Sequence, residues 1–180
     1  MAAPVYYTAE MVRAFPADGN RYETVHGELL VTPAPRPWHQ ELVSRLHFAL
    51  MGYLRKEPVG HLVASPADIS WGEDLLVQPD LFVVPIEQAR ALDWAAMRDL
   101  MLAIEVLSPT SARADRFTKR RLYQERWIPW YWVVDGDLRA VEVWTPSDER
   151  PSFKRKHVDW WPAGAETPFQ LDLTDLFRPI

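Results

Sequence analysis

The run Met101–Leu107, MLAIEVL, constrains this chain more than any other segment. Six of its seven residues are apolar. A strand with one face in water would alternate, so this pattern predicts a β-strand buried on both faces, inside a sheet with further elements packed over it. Its single polar residue is Glu105. A carboxylate in such a strand is costly unless it is paired or coordinates a metal. Asp80, following Pro79 inside the apolar stretch Leu75–Val84, poses the same problem. Either acid alone could accept backbone hydrogen bonds at a strand end. Two of them, in strands that look adjacent, point to a shared cation.

The remaining elements follow from periodicity and punctuation. Thr8 is placed to cap a short helix reaching Phe15 and stopped by Pro16. Residues 21–31 read as a hairpin with His26-Gly27 at its tip. Pro37–Lys56 is the clearest helix, with Leu42, Leu46, Leu50, Tyr53 and Leu54 at helical spacing and Pro37 in the first turn. Residues 60–64 and 67–71 read as two short strands split by Pro66, and Leu75–Val84 as a third, whose Pro79 marks an edge, a bulge or a strand start. A weak helix is expected over residues 87–98. After the strand Leu100–Leu107 and a loop to Arg113 come a charged helix, Ala114–Trp127, and a second buried-type strand, Tyr131–Val134. A turn at Asp135-Gly136-Asp137 leads to its hairpin partner, Leu138–Trp144. This order gives a mixed sheet with helices against it, α/β or α+β, in one domain over residues 1–180.

Composition narrows the chemistry. The chain has no cysteine, which excludes disulfides, Cys-ligated zinc, iron–sulfur clusters and thiol nucleophiles. It contains no phosphate-cradling GxxxxGK[ST], no dinucleotide GxGxxG and no GxSxG nucleophile elbow. The five histidines show no HExxH pairing. The net charge of −5 argues against general phosphate binding, so contact with nucleic acid requires a local basic patch or a bound metal. The densest basic region is the charged helix, with Arg113, Arg116 and Arg120 as candidate backbone contacts. Asp115, Lys119, Leu122 and Tyr123 share a face, and the apolar Leu122 suggests that this face turns inward, although an Asp115–Lys119 surface pair would account for the spacing equally well. His39 and Gln40, at the start of the long helix, read as capping or surface groups with anion contact as the alternative, and Ser108, Thr110 and Ser111 as caps of the charged helix. The N-terminal segment Met1–Tyr7 shows no signal-peptide pattern and no run is long enough for a membrane span, so the expected location is the cytoplasm.

Several segments, in order, carry a resemblance: HGELLVTPAPRPWHQ, DISWGEDLLVQPDLFVV, AIEVLSPTS, DRFTKRRLY from Asp115, and WYWVVD. Together they are similar to the Uma-two family of restriction-endonuclease-like domains, in the PD-(D/E)XK nuclease superfamily, from about Tyr22 to Phe177. The resemblance implies a mixed β-sheet core flanked by helices, with an added N-terminal helix and hairpin, and an Mg²⁺- or Mn²⁺-dependent phosphodiester site acting on nucleic acid, DNA above all. Pro79-Asp80 is similar to the family's PD and Glu105-Val106 to its EV, so Asp80, Glu105 and the Val106 carbonyl are the expected metal ligands. The superfamily lysine two residues after the acid is Leu107 here; Lys119 matches the lysine that family members carry on the next helix. Glu28 matches a further family acid. At Trp130 the chain departs from the pattern Gly-Val-x-Glu-Tyr-Trp, with tryptophan in place of glutamate. That departure and the acidic balance support a second reading, a catalytically silent nuclease-fold module binding nucleic acid or protein. The nine tryptophans lead to the expectation of a homodimer.

Overall fold

Thr8 caps the first helix as its position predicts: its side-chain oxygen accepts from the Met11 N–H at 3.2 Å, and α1 runs Ala9–Arg13. The computed structural model describes residues 5–180, so residues 1–4 of the N-terminal segment read for a signal peptide lie outside the described residues. The hairpin follows as β1 (Arg21–Val25) and β2 (Glu28–Thr32). His26 and Gly27 form its two-residue turn with φ of 51° and 78°, the left-handed geometry that matches the twist of paired strands. Gly27 is further required by space, because a Cβ there would fall 2.3 Å from the Tyr6 ring.

Pro37 begins α2 (Pro37–Leu54), which buries Leu42, Leu46, Leu50 and Leu54 along one stripe. Next come β3 (His61–Ala64), β4 (Ile69–Gly72), β5 (Leu75–Val77) and β6 (Leu81–Val84). The single strand expected over Leu75–Val84 is thus two strands in two different sheets. The break falls on Gln78, Pro79 and Asp80. Pro79 has no N–H for a ladder, and the Gln78 N–H donates to the Glu23 carboxylate at 2.7 Å instead of to a strand.

The weak helix divides into α3 (Ile86–Arg90) and a 3₁₀ turn at Trp94–Ala96, with Leu92 in left-handed geometry between them (φ 52°). The apolar run forms β7 (Leu102–Val106), buried at every position. The charged helix is not regular throughout: Ala114–Lys119 is a π-helical segment that passes directly into α4 (Arg120–Glu125), and Trp127, with φ of 53°, ends it. Then follow β8 (Tyr131–Asp135), β9 (Ala140–Trp144), β10 (Ser152–Lys154), β11 (His157–Trp160), β12 (Phe169–Asp172) and α5 (Leu173–Leu176).

The strands assemble as a six-stranded sheet in the order β10-β9-β8-β7-β6-β3, a four-stranded sheet β2-β1-β5-β4, and the pair β11-β12. Every pairing is antiparallel except β7 with β8. Parallel neighbours require a crossover, and the π segment and α4 supply it. Strand alternation then divides the large sheet into two faces. Leu102, Ile104, Val106, Leu81, Val83, Trp132 and Val134 pack with α2, α5 and the β11-β12 pair. Ala103, Phe82, Val84, Tyr131 and Val133 pack with Val25, Ile69, Leu75 and Val77 of the small sheet and with Leu122 and Tyr123 of α4. Glu105, between Ile104 and Val106, belongs by alternation to this second face, and so does Asp80, two residues before Phe82. Among the described residues no helix is long and apolar enough to cross a membrane.

Candidate active site

Asp80 sits where β6 begins, one residue before its first ladder position. Along the parallel pair, Ala103 and Leu107 donate their N–H groups to the carbonyls of Trp130, just before β8, and Val134 within it, both at 2.9 Å. Val106, between them in phase, therefore turns its peptide groups the other way, towards β6. There the ladder has already ended at Leu81↔Ile104. The Asp80 carboxylate fills the gap, accepting the Val106 N–H at 2.8 Å. This short link places Asp80 beside the β7 acid and satisfies a backbone donor that would otherwise be buried and unpaired.

β1 adds two groups. Arg21 and Glu23 alternate in step with Val25, so they face the large sheet. The Arg21 guanidinium lies 2.8 Å from Asp80 Oδ1, 3.9 Å from Glu105 Oε2 and 3.6 Å from Glu23 Oε2. Asp80 and Glu105 are thus gathered around one cation on one face of the sheet, as the two strand acids suggested, but that cation is a side chain. The π segment supplies Asp115 and Lys119, both buried. The Lys119 ammonium is 2.8 Å from Glu105 Oε1, 2.8 Å from Glu23 Oε1 and 3.5 Å from Asp115 Oδ1. The Tyr123 hydroxyl donates to Glu105 Oε1 at 3.3 Å. From α2, His39 Nε2 is 3.1 Å from Asp80 Oδ2.

Four carboxylates (Glu23, Asp80, Glu105, Asp115) therefore face two fixed cations (Arg21, Lys119), all of them buried or nearly so. Burial opposes the charge on Lys119, but Glu105, Glu23 and Asp115 outweigh it and hold the ammonium charged, its pKa raised. Arg21 is raised in the same way, with the charges of Glu23, Glu105 and Asp80 prevailing over burial. Burial would raise Asp80 too, yet the His39 hydrogen bond and the Arg21 charge lower it to about 2. The negative excess falls on the others. Glu105 is pushed well up, first by burial and then by Asp115 and Asp80, and Asp115 is raised chiefly by burial. Glu105 Oε2, Glu23 Oε2 and both Asp115 oxygens are buried without a hydrogen-bond partner.

A cavity of about 740 Å³ opens beside the cluster, with Arg21, His39, Gln78, Asp80, Ser108 and Ser111 in its wall. Glu105, Glu23, Asp115 and Lys119 do not reach that wall. Ser108 and Ser111 accept from each other's backbone N–H, at 3.1 Å in both directions, so they brace the loop itself rather than cap the start of the π segment at Ala114, which has no side-chain cap.

Several expectations need correction. Glu28 stands exposed at the hairpin tip, opposite Val25, and takes part in none of the cluster's ion pairs; Glu23, one turn of the pleat closer, occupies the place expected for it. His39 is a partner of Asp80 rather than a surface group. Arg116 is committed to Asp135 at 2.7 Å and Glu142 at 2.6 Å, while Arg120 lies over the Trp144 ring at 4.7 Å and makes no ion pair among the described residues. Arg113 is exposed and makes no ion pair among the described residues. Trp130 lies on the α2 side of the sheet with Trp132, opposite the Glu105 face, so the departure there removes no member of this cluster. Of the tryptophans that suggested association, Trp132, Trp144 and Trp160 are core, while Trp127 and Trp161 are exposed.

The family model for Uma2, the Uma-two family, described as "Putative restriction endonuclease", matches residues 9–174. The chain belongs to this family. Among solved structures it is similar to a protein from Anabaena variabilis ATCC 29413 described as a putative nuclease belonging to DUF820. The TM-score is 0.75 at 20% identity, with 95% of this chain and 97% of that chain covered. At that identity the likeness speaks for the fold, which is the mixed nuclease-like architecture expected. No curated protein matches the chain.

The donor chemistry can be tested against the divalent cation that this family implies. Among the described residues no three His, Asp or Glu side chains converge ready to hold a metal, because Arg21 and Lys119 are interposed. The set fits such an ion in two other respects. Its ligands are hard carboxylate oxygens of the kind Mg²⁺ and Mn²⁺ prefer, and its Glu105 Oε2 is buried without a hydrogen-bond partner, an oxygen that a cation could take.

Proposed function

We propose that this protein hydrolyses phosphodiester bonds, those of DNA, with Mg²⁺ or Mn²⁺ held by Asp80 and Glu105 together with the backbone carbonyl of Val106. The observation that carries the reading is the pairing of Asp80 with β7: two acids from neighbouring strands on one sheet face, beside a cavity, in a cluster with more buried carboxylates than cations. Membership of a restriction-endonuclease-like family supports DNA as the substrate class. A bound cation would polarise the phosphodiester and lower the pKa of a water.

The chain's own residues prepare that chemistry. Asp80, in the cavity wall and held below the ordinary carboxylate range, stays ionised as a ligand. Lys119, buried between Glu23 and Glu105, works through Glu105: it fixes the carboxylate and offsets its charge. It is a positioning residue rather than one that meets the substrate. Tyr123, its hydroxyl kept protonated by burial and by the Glu105 charge, orients the same oxygen. Arg113 offers the exposed positive charge for the phosphate backbone. The test is a calorimetric Mn²⁺ titration of the wild type and of Asp80→Ala. The reading expects binding that the substitution weakens by an order of magnitude or more, and equal isotherms would overturn it.

A further inference from the structure

Arg21 is the group that the family's metal chemistry leaves without a task. Its guanidinium is bonded to Asp80 Oδ1 at 2.8 Å and lies 3.9 Å from Glu105 Oε2, between the two carboxylates read above as metal ligands. It also lines the cavity that Glu105 does not reach. A cation entering from the cavity meets Asp80 and Arg21 before Glu105. Asp80 itself has little to spare, since Oδ1 accepts from Arg21 and Oδ2 from Val106 and His39. A guanidinium and a divalent ion cannot share that space, and both are attracted to the same oxygens.

Resting on the metal-dependent reading, we propose that Arg21 is an exchangeable place-holder: it occupies the cation's position in the metal-free protein, and on metal loading it turns into the cavity to receive a substrate phosphate. The exchange has a physical rationale at each stage. Without metal, Arg21 is the guanidinium counter-ion of buried Asp80 and adds to Lys119 as a second, more distant cation for Glu105, so the two carboxylates do not face each other across an empty gap. With metal, the displaced guanidinium needs a new anion, and a phosphodiester suits its planar fork of donors. The cavity beside it provides room for one. Lys119 does not share this role, because it is buried away from the cavity wall and bonded to Glu23 as well as Glu105.

The consequence is a coupling between two ligands. Each removes an obstacle for the other, so metal and nucleic acid should bind with positive cooperativity, and by linkage the effect must be reciprocal. The experiment is a pair of calorimetric titrations on the full chain: Mn²⁺ with and without a saturating phosphorothioate DNA duplex, and the duplex with and without Mn²⁺. The wild type should show about tenfold tighter binding of each ligand in the presence of the other. Arg21→Met, which keeps an unbranched apolar stem and removes the guanidinium, should bind Mn²⁺ alone more tightly than the wild type and lose the cooperativity. If Arg21→Met fails to fold without metal, thermal unfolding of the wild type with Mn²⁺, duplex and both carries the same test. Independent binding of the two ligands by the wild type overturns the exchange, as does weaker Mn²⁺ binding by a folded Arg21→Met. Wild-type Mn²⁺ binding that Asp80→Ala leaves unchanged, or no Mn²⁺ binding by any variant, marks failure of the metal-dependent reading itself.

Discussion

Replacing Lys119 with methionine probes the electrostatics of the cluster, since it keeps an unbranched apolar stem of nearly the same length and removes the ammonium with its charge and its hydrogen-bond donors. In the folded protein the ammonium touches three carboxylates, at 2.8, 2.8 and 3.5 Å, and is 1% exposed. Removing one member of a buried ion pair leaves an uncompensated charge and costs about 3–5 kcal/mol. Stability of a domain this size is about 5–15 kcal/mol in total, so Lys119→Met should lower it by a large fraction without changing the urea m-value. The loss should also depend on pH in a definite direction. Without Lys119, the raised pKa values of Glu105 and Asp115 rise further, and a group raised on folding gains stability as pH falls towards its unfolded value. Urea denaturation should therefore show a smaller deficit at about pH 5 than at about pH 8. A cost below about 1 kcal/mol would refute the reasoning, because that is the scale of an exposed ion pair. A deficit that ignores pH would refute it equally.

Asp80 gives the opposite pH behaviour. Its folded pKa of about 2 lies below its ordinary 3.8, so it contributes about 2 kcal/mol that is present above pH 4 and lost as the pH falls towards 2. Asp80→Asn should flatten that part of the acid unfolding curve, and a curve of unchanged shape would contradict the bonding of the Asp80 carboxylate by His39 and Arg21. On the basic helix, Arg116→Ala should cost about 1–3 kcal/mol in urea, through loss of two charge-assisted hydrogen bonds. Arg113→Ala should leave stability within about 0.5 kcal/mol and reduce the salt dependence of DNA binding by about one charge; equal effects of the two in both assays would refute the division of roles.

Much of this site could be read from the chain. The apolar run around Glu105 gave the central strand, and the cost of burying that carboxylate led to Asp80. The shared helical face of Asp115, Lys119, Leu122 and Tyr123 indicated which side of the charged helix turns inward, even though the π geometry of Ala114–Lys119 was not legible. Arg21 and Glu23 escaped because a short hairpin rich in polar residues reads as half-solvated. The signal was present in the period-two step Arg21, Glu23, Val25, which ties both charges to an apolar residue on the buried face. Only a second sheet packed over the first makes that face interior, and no local pattern announces it. The break at Pro79 was visible as an irregularity, but its meaning was not, because the change of sheet depends on long-range pairing of β5 with β1 and of β6 with β7. Arg116 and Arg120 looked like a phosphate-binding face because their partners, Asp135, Glu142 and Trp144, come from strands later in the chain.

The most direct measurement is cleavage of supercoiled plasmid DNA by the purified protein in Mg²⁺ or Mn²⁺, with excess EDTA as control and Glu105→Gln alongside. Gln replaces the ligand without changing its shape. Nicked or linear product is expected with metal, none with EDTA, and a loss of about 10²-fold or more in Glu105→Gln. Cleavage that persists in EDTA or in a folded Glu105→Gln protein, or a metal-bound wild type that leaves the plasmid intact, would contradict the metal-dependent reading.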